Sequence, residues 1–280
     1  MQLIADSGST KTTWALIENG VIRQTILTAG LNPYFHTRES VEKILQAELI
    51  PSLMPAMVRE IHFYGAGCST ENKNRLLTEA MRSFFNEADI RIYHDILGAA
   101  RALFGKGQGI ACILGTGCNS CWYDGSSVTM GVASLGYLFG DEGAGSNIGK
   151  RFMENYLKEK LPAELRKAFD EEYHFTLEDI LDALYNRPSP NRFLASFSKF
   201  VAPRQDHPFL RELVKSSLQA FFDEQVKKYS NYRETTAGFI GSIAFYYREI
   251  LLETASENHV RVGTILREPM EGLVKYHFGS

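Results

Sequence analysis

Leu3-Ile4-Ala5-Asp6-Ser7-Gly8-Ser9-Thr10-Lys11-Thr12-Thr13 sets a carboxylate at the end of a short apolar run and follows it at once with a tight polar turn. Small residues in such a turn let backbone N–H groups face one concavity, where hydroxyls and a cation add to the attraction for an oxyanion. The turn therefore suits a phosphate, and Asp6 stands where a metal on that phosphate would want a ligand. The same residues also make an ordinary turn. A second copy shifts the balance: Ile110-Ala111-Cys112-Ile113-Leu114-Gly115-Thr116-Gly117-Cys118-Asn119-Ser120-Cys121 is again an apolar run that opens into glycines and hydroxyls. Each loop leads to a second apolar run and then to a pair, Asn19-Gly20 or Asp124-Gly125, of the kind that closes a two-residue turn between antiparallel strands. The pairs follow their loops at almost the same distance along the chain. Two units of strand, loop and hairpin indicate an internal duplication.

The 280 residues are 44% hydrophobic and 22% charged, the composition of an ordinary globular protein with room for two domains. No apolar run approaches the ~20 residues that cross a bilayer, and the first residues read as a strand, so a cytoplasmic protein without a membrane partner is expected. A formal net charge of −3 argues against a general affinity for nucleic acid and favours a small-molecule substrate. Cys118-Asn119-Ser120-Cys121 has the spacing of a redox or metal pair, but Cys68 and Cys112 do not complete a zinc site. Structural cysteines are the expectation, with Cys118 left open as a residue lining the site.

Hydrophobic alternation predicts strands over residues 2–5, 12–17, 21–27, 61–64, 90–93, 110–114, 121–123 and 236–240, and helical periodicity over 38–49, 70–85 and 97–104. Gly105-Lys106-Gly107-Gln108-Gly109 is the most linker-like stretch and marks the boundary between domains at 1–106 and 107–280. The second domain carries a helical insertion over about 147–230, broken at Pro162, at Pro188 and Pro190, and near Pro203 and Pro208. Strands that alternate with helices after an antiparallel hairpin give each half a mixed sheet, an α/β fold.

Transfer of a phosphoryl group to a hydroxyl needs a phosphate cradle, a divalent metal and a carboxylate that accepts the hydroxyl proton. Asp95 ends a strand of the first unit, and ligands of open α/β sheets collect at the carboxyl ends of strands. It is equally placed to cap the helix that follows. Asp141-Glu142 sits in a glycine frame before a helix and suits sugar hydroxyls, a metal-bound water, or the positive end of the helix dipole. Asn32, in Ala29-Gly30-Leu31-Asn32-Pro33-Tyr34, offers an amide that a hydroxyl or amide substrate would match, or serves the turn.

Asp6-Ser7-Gly8-Ser9-Thr10-Lys11-Thr12, Gly30-Leu31-Asn32-Pro33, His94-Asp95, Leu114-Gly115-Thr116-Gly117-Cys118-Asn119-Ser120 and Leu138-Phe139-Gly140-Asp141-Glu142-Gly143-Ala144-Gly145 occur in the order seen in N-acetylglucosamine kinases. Over nearly its whole length the chain resembles a bacterial member of that family, within the actin, hexokinase and heat-shock chaperone ATPase superfamily. The resemblance implies two ribonuclease H-like domains from a duplication, each with a mixed five-stranded sheet, and a final helix able to pack back on the first domain. It further implies ATP and Mg²⁺ as cofactors and phosphorylation of the 6-hydroxyl of an amino sugar, foremost N-acetylglucosamine, with N-acetylmuramic acid and glucosamine as family alternatives. Carried over residue by residue, Asp95 becomes the general base. Gly8, Ser9, Thr10 and Lys11 form the first phosphate loop, Gly115, Thr116 and Gly117 the second, and Asp6 holds Mg²⁺ through water. Asn32, Thr116, Asn119 and Asp141 match sugar contacts, Gly241 and Ser242 the nucleoside turn, and Pro269-Met270-Glu271-Gly272-Leu273 the segment before the last helix. Cys118 departs from the family, which more often has serine there. A rival within the superfamily is an ATPase activator of a CoA-ester reductase or dehydratase, whose cysteine ligand pattern is missing here; a non-catalytic sugar sensor is a third reading. A homodimer is compatible with the sequence.

Overall fold

A computed structural model describes residues 1–279. Met1–Gln108, Tyr123–Thr129 and the chain from Glu268 onward group as one compact unit, and Gly109–Trp122 with Met130–Arg267 as a second. In the first sheet β1 (Gln2–Ser7), β2 (Lys11–Glu18) and β3 (Val21–Ala29) form an antiparallel meander. After α1 (Arg38–Ile44), β4 (Glu60–Gly65) joins β1 in parallel. After α2 (Glu71–Arg82), β5 (Asp89–His94) joins β4 in parallel and runs directly into α3 (Asp95–Phe104). The order is β3-β2-β1-β4-β5.

The second sheet repeats it. β6 (Gly109–Leu114), β7 (Cys118–Tyr123) and β8 (Val128–Gly131) precede α4 (Gly136–Phe139) and the helical insertion, which comprises α5 (Gly145–Leu157), α6 (Ala163–Glu172), α7 (Leu177–Tyr185), α8 (Pro190–Ser196), α9 (Ser198–Val201) and α10 (Pro208–Glu224). The chain returns through β9 (Thr236–Ile240), α11 (Ser242–Tyr246), α12 (Arg248–Glu257), β10 (Arg261–Leu266) and α13 (Met270–Phe278). The order β8-β7-β6-β9-β10 matches that of the first sheet strand for strand, so the duplication is one of fold as well as of loops.

Period-two alternation explains why β1 is buried on both faces. Leu3 and Ala5 meet Leu45, Leu77 and Met81 on one side, while Ile4 meets Ala15, Tyr64, Met270 and Leu273 on the other. α13 lies against α3 at close range: a Cβ on Gly272 would stand 2.4 Å from the Ala102 carbonyl oxygen. Phe152, Phe169, Phe197 and Phe200 give the insertion its own core, with ring centroids 5.1–5.8 Å apart. Burying each such ring contributes about 1.5–3 kcal/mol. The prolines act as expected of them, with Pro190 and Pro208 opening the first turns of α8 and α10.

Several local expectations are corrected. The 38–49 helix is α only to Ile44 and then widens to a π turn over Leu45–Leu49. β7 begins at Cys118 rather than at 121, which shortens the second loop to 115–117. Asn19 and Gly20, with φ of 52° and 75°, make the two-residue turn of mirror-image type that hairpins prefer. Asp124-Gly125 does not. There the connection spans 124–127, because the Asp124 carboxylate accepts the Ser126 and Ser127 N–H groups and organises a wider turn. β8 and β10 carry no clear period in the sequence; Gly263, whose missing Cβ leaves room for Thr236, lies where the β10 register shifts. Among the described residues no helix is long and apolar enough to cross a membrane.

Candidate active site

In the first unit, parallel pairing sets Ser7 opposite Gly65 and Gly65 opposite His94, so β1, β4 and β5 end on one rim. Asp6 is the penultimate residue of β1, and Asp95 directly follows β5. Between β1 and β2 the turn at residues 8–10 is closed by Gly8 N–H donating to the Lys11 carbonyl at 3.0 Å. The Ser9 and Thr10 N–H groups have no hydrogen-bond partner among the described residues. Free donors in a turn beside a cation are what an anionic ligand requires.

Neighbouring loops lock this turn. Gly30 N–H donates to the Thr10 carbonyl at 3.0 Å, and Ala66 N–H donates to the Ser7 carbonyl at 2.8 Å. A Cβ on Gly30 would stand 2.4 Å from the Gly8 carbonyl oxygen and 2.5 Å from the Ser9 carbonyl carbon. Asn32 is buried. Its Nδ2 donates to Ser9 Oγ at 2.9 Å, its Oδ1 accepts from Tyr34 N–H at 3.0 Å, and a Cβ on Gly67 would stand 2.3 Å from that oxygen. The Asn32 amide therefore joins two loops while keeping one N–H and one lone pair in hand. Gly67, and the packing role of Gly30 within its quoted motif, are site-shaping features that sequence reasoning did not single out, since their neighbours are remote in the chain.

Burial first, then the charges of Asp95 and Glu268 against the opposing Lys11, together hold the Asp6 carboxyl up at about 7. Lys11 Nζ is 2.7 Å from Glu268 Oε1, both largely exposed. Asp95 is the first residue of α3, and the capping position belongs instead to His94. Asp95 Oδ1 lies 2.7 Å from His94 Nδ1 and accepts Ile96 N–H at 2.8 Å. Among the described residues no three His, Cys, Asp or Glu side chains cluster to hold a metal by themselves. A carboxylate as starved of positive charge as Asp6 suits a cation that brings its own phosphate and water ligands, as Mg²⁺ does.

In the second unit, residues 115–117 form the β6–β7 turn, closed by Gly115 N–H to the Gly117 carbonyl at 3.0 Å. α5 is tied to it: Gly145 N–H donates to the Gly115 carbonyl at 2.9 Å and Ser146 N–H to the Thr116 carbonyl at 3.0 Å. A Cβ on Gly115 would meet nothing within 4 Å, so open space adjoins the turn. Asp141 is 7% exposed and adopts φ of 60°, a conformation that costs a non-glycine residue energy and persists where the surroundings enforce it. Its Oδ1 accepts Cys118 N–H at 3.0 Å. A Cβ on Gly117 would stand 2.8 Å from the same oxygen. Burial raises the Asp141 carboxyl and Glu142 adds to this, while the Cys118 N–H opposes them. Asn119 is partly exposed, its Oδ1 accepting Ser120 N–H. Gly241, with φ of 126°, packs on the same turn, where a Cβ would stand 2.1 Å from the Leu114 carbonyl oxygen, and Ser242 follows it exposed at the start of α11. The four cysteines are buried and form no disulfide among the described residues, and burial pushes the Cys118 thiol well above its ordinary range.

No protein-family model and no curated protein matches the chain. Solved structures do. A ROK family glucokinase from Streptomyces griseus, in complex with glucose and AMPPNP, aligns over 98% of this chain and 97% of its own, at 12% identity and a TM-score of 0.61. A "putative N-acetylglucosamine kinase" from Chromobacterium violaceum aligns over 98% of both chains at 15% identity and a TM-score of 0.75. The duplicated five-stranded units thus have the actin-like fold of ROK sugar kinases. A "putative N-acetylglucosamine kinase" from Porphyromonas gingivalis is 42% identical over 100% of this chain and 99% of that one, with a TM-score of 0.96. The chain belongs to the N-acetylglucosamine kinase-like family.

Proposed function

We propose that this protein is an ATP-dependent sugar kinase that phosphorylates the 6-hydroxyl of N-acetylglucosamine. The observation that carries the reading is the rim of the first sheet, where a turn with free N–H groups and a charge-starved Asp6 end β1, and Asp95 directly follows β5, with β4 between them. The full-length likeness to the Porphyromonas gingivalis protein supports the amino-sugar substrate.

In this reading the turn at residues 8–10, with Lys11, and the turn at 115–117 receive phosphate oxygens. Gly241 and Ser242 take the nucleoside. Asp6 would help hold Mg²⁺, which when bound would supply positive charge to offset that of the phosphates. Asn32, Thr116, Asn119 and Asp141 hold the sugar by hydrogen bonds. Asp95 accepts the proton of the 6-hydroxyl as its oxygen bonds to the γ-phosphorus. The bond from that phosphorus to the bridging oxygen breaks, and ADP leaves with the electron pair.

The test is ADP release across N-acetylglucosamine, N-acetylmuramic acid, glucosamine and glucose, with and without Mg²⁺, by the wild type and Asp95→Asn. N-acetylglucosamine-dependent, Mg²⁺-dependent turnover that drops ~10²–10⁴-fold in the variant is expected, the usual cost of removing a general base. Absence of sugar-dependent release, or a variant within twofold of wild type, overturns the reading. Preference for another sugar corrects the substrate.

A further inference from the structure

Two contacts fix the Asp95 side chain, one ion pair and one hydrogen bond, and both fall on one oxygen. His94 Nδ1 lies 2.7 Å from Oδ1, and Ile96 N–H donates to the same Oδ1 at 2.8 Å. Oδ2 receives none among the described residues. A third contact decides which way the His94 proton points. Ile96 N–H also faces His94 Nδ1, but at 3.3 Å, so its better acceptor is the carboxylate. Nδ1 cannot accept from Ile96 and donate to Asp95 at once, and the shorter, charge-assisted contact takes precedence. Satisfying the ion pair requires the His94 proton on Nδ1, facing Asp95 Oδ1.

We infer that His94 is a positioning residue for the reaction: it holds Oδ1 of Asp95 and leaves Oδ2 as the oxygen that takes the proton of the sugar hydroxyl. The inference rests on the kinase reading above for the identity of that proton. The geometry of the pair stands without it. Among the described residues His94, partly exposed, makes its only ion-pair contact with Asp95, whose charge also raises the Asp6 carboxyl on β1 and the Cys68 thiol in the loop after β4. Because a helix start alone would be served by any good capping side chain, a purely structural role and a positioning role predict different tolerances at this site.

His94→Asn keeps a donor where Nδ1 stands and caps well; His94→Asp caps equally well, cannot donate when ionised, and sets a like charge beside Asp95. Folding of both is checked by thermal melting. We expect His94→Asn to restore most of kcat. His94→Asp should lose about tenfold or more in kcat, less than Asp95→Asn, with KM for ATP and sugar within about twofold and the acid limb of the kcat profile moved to higher pH. A His94→Asp enzyme with wild-type kcat and an unmoved acid limb overturns the inference, as does a loss confined to KM. An independent readout needs no turnover: the ¹⁵N shifts of the wild-type His94 ring should report a protonated Nδ1, and that signature should weaken in Asp95→Asn. A ring with unprotonated Nδ1 overturns the inference even if the protein phosphorylates sugar. Failure of the wild type to turn over any sugar, with protonated Nδ1, overturns the kinase reading and leaves the pair as assigned.

Discussion

Replacing Gly30 by alanine probes the interlock around the first turn. The added Cβ would sit 2.4 Å from the Gly8 carbonyl oxygen, 2.5 Å from the Ser9 carbonyl carbon and 2.6 Å from the Ser9 carbonyl oxygen. All three are backbone atoms, so no flexible side chain can swing aside. Ordinary contact needs about 3.5 Å, which requires the two segments to part by roughly 1 Å. The Gly30 N–H to Thr10 carbonyl bond opposes that movement from the other side. Overpacking of this kind costs about 1–3 kcal/mol, or roughly 2–12 °C in melting temperature for a domain of this size. A displacement of about 1 Å at a positioned group lowers rate by about 10²-fold, and under the proposed function the affected step is the one that uses nucleotide. Purified Gly30→Ala should therefore melt earlier and lose kcat/KM for ATP far below its melting temperature. Gly131→Ala, where the Cβ meets nothing nearer than 3.7 Å, serves as the tolerant control. Wild-type melting and wild-type ATP kinetics in Gly30→Ala would refute the argument that this glycine is required by close approach.

Gly115→Ala should do the opposite to stability: with open space and no positive φ at this position, melting should stay level or rise by the equivalent of about 0.4–1 kcal/mol, while ATP affinity falls. Unchanged ATP titrations would count against a ligand beside that turn. Asp6 has a folded pKa raised to about 7, so its ionisation weighs against the folded state progressively as pH climbs from about 4 to 7. Asp6→Asn should accordingly stabilise the ligand-free protein at pH 8, gain distinctly less at pH 5, and lose activity; equal gains at both pH values would contradict the desolvation account. The His62 and His277 rings meet at a tilt with centroids 4.0 Å apart, and His277 Nε2 lies 2.8 Å from the Tyr64 hydroxyl. Burial, mutual repulsion and Arg101 hold the His277 pKa down to about 3, and burial lowers that of His62. Their folded pKa values lie below the unfolded one, so stability is intact above about pH 6.5 and drains away as pH falls toward 3. Hydrogen exchange in α13 should rise between pH 6.5 and 4, and flat protection across that range would oppose the account.

What was legible along the chain was what neighbours in sequence decide. Asn19-Gly20 announces its turn because both residues tolerate positive φ, and the apolar runs at residues 2–5 and 110–114 declare strands by composition. Asp124-Gly125 shows the same letters with another outcome, since a side-chain oxygen competing for two N–H groups outweighs the dipeptide preference. β10 escaped notice because it is defined by pairing with β9, Arg261 opposite Thr236 and a register shift after Val262, which no local window contains. Asp95 was ambiguous between cap and base, and the structure moved the cap to His94.

The sequence by itself determined the repeated unit of strand, polar turn and hairpin, the carboxylate at the end of the first strand, and the glycines of both turns. These depend on backbone propensities and on residues a few positions apart. Tertiary structure alone decided that Ser7, Gly65 and His94 stand in register on one rim, that Asn32 spends its amide on Ser9 and Tyr34, and that Asp6 is starved of charge. Register, close approach and desolvation are set by atoms that meet only after the chain has folded, and their energies belong to the neighbours rather than to the residue named.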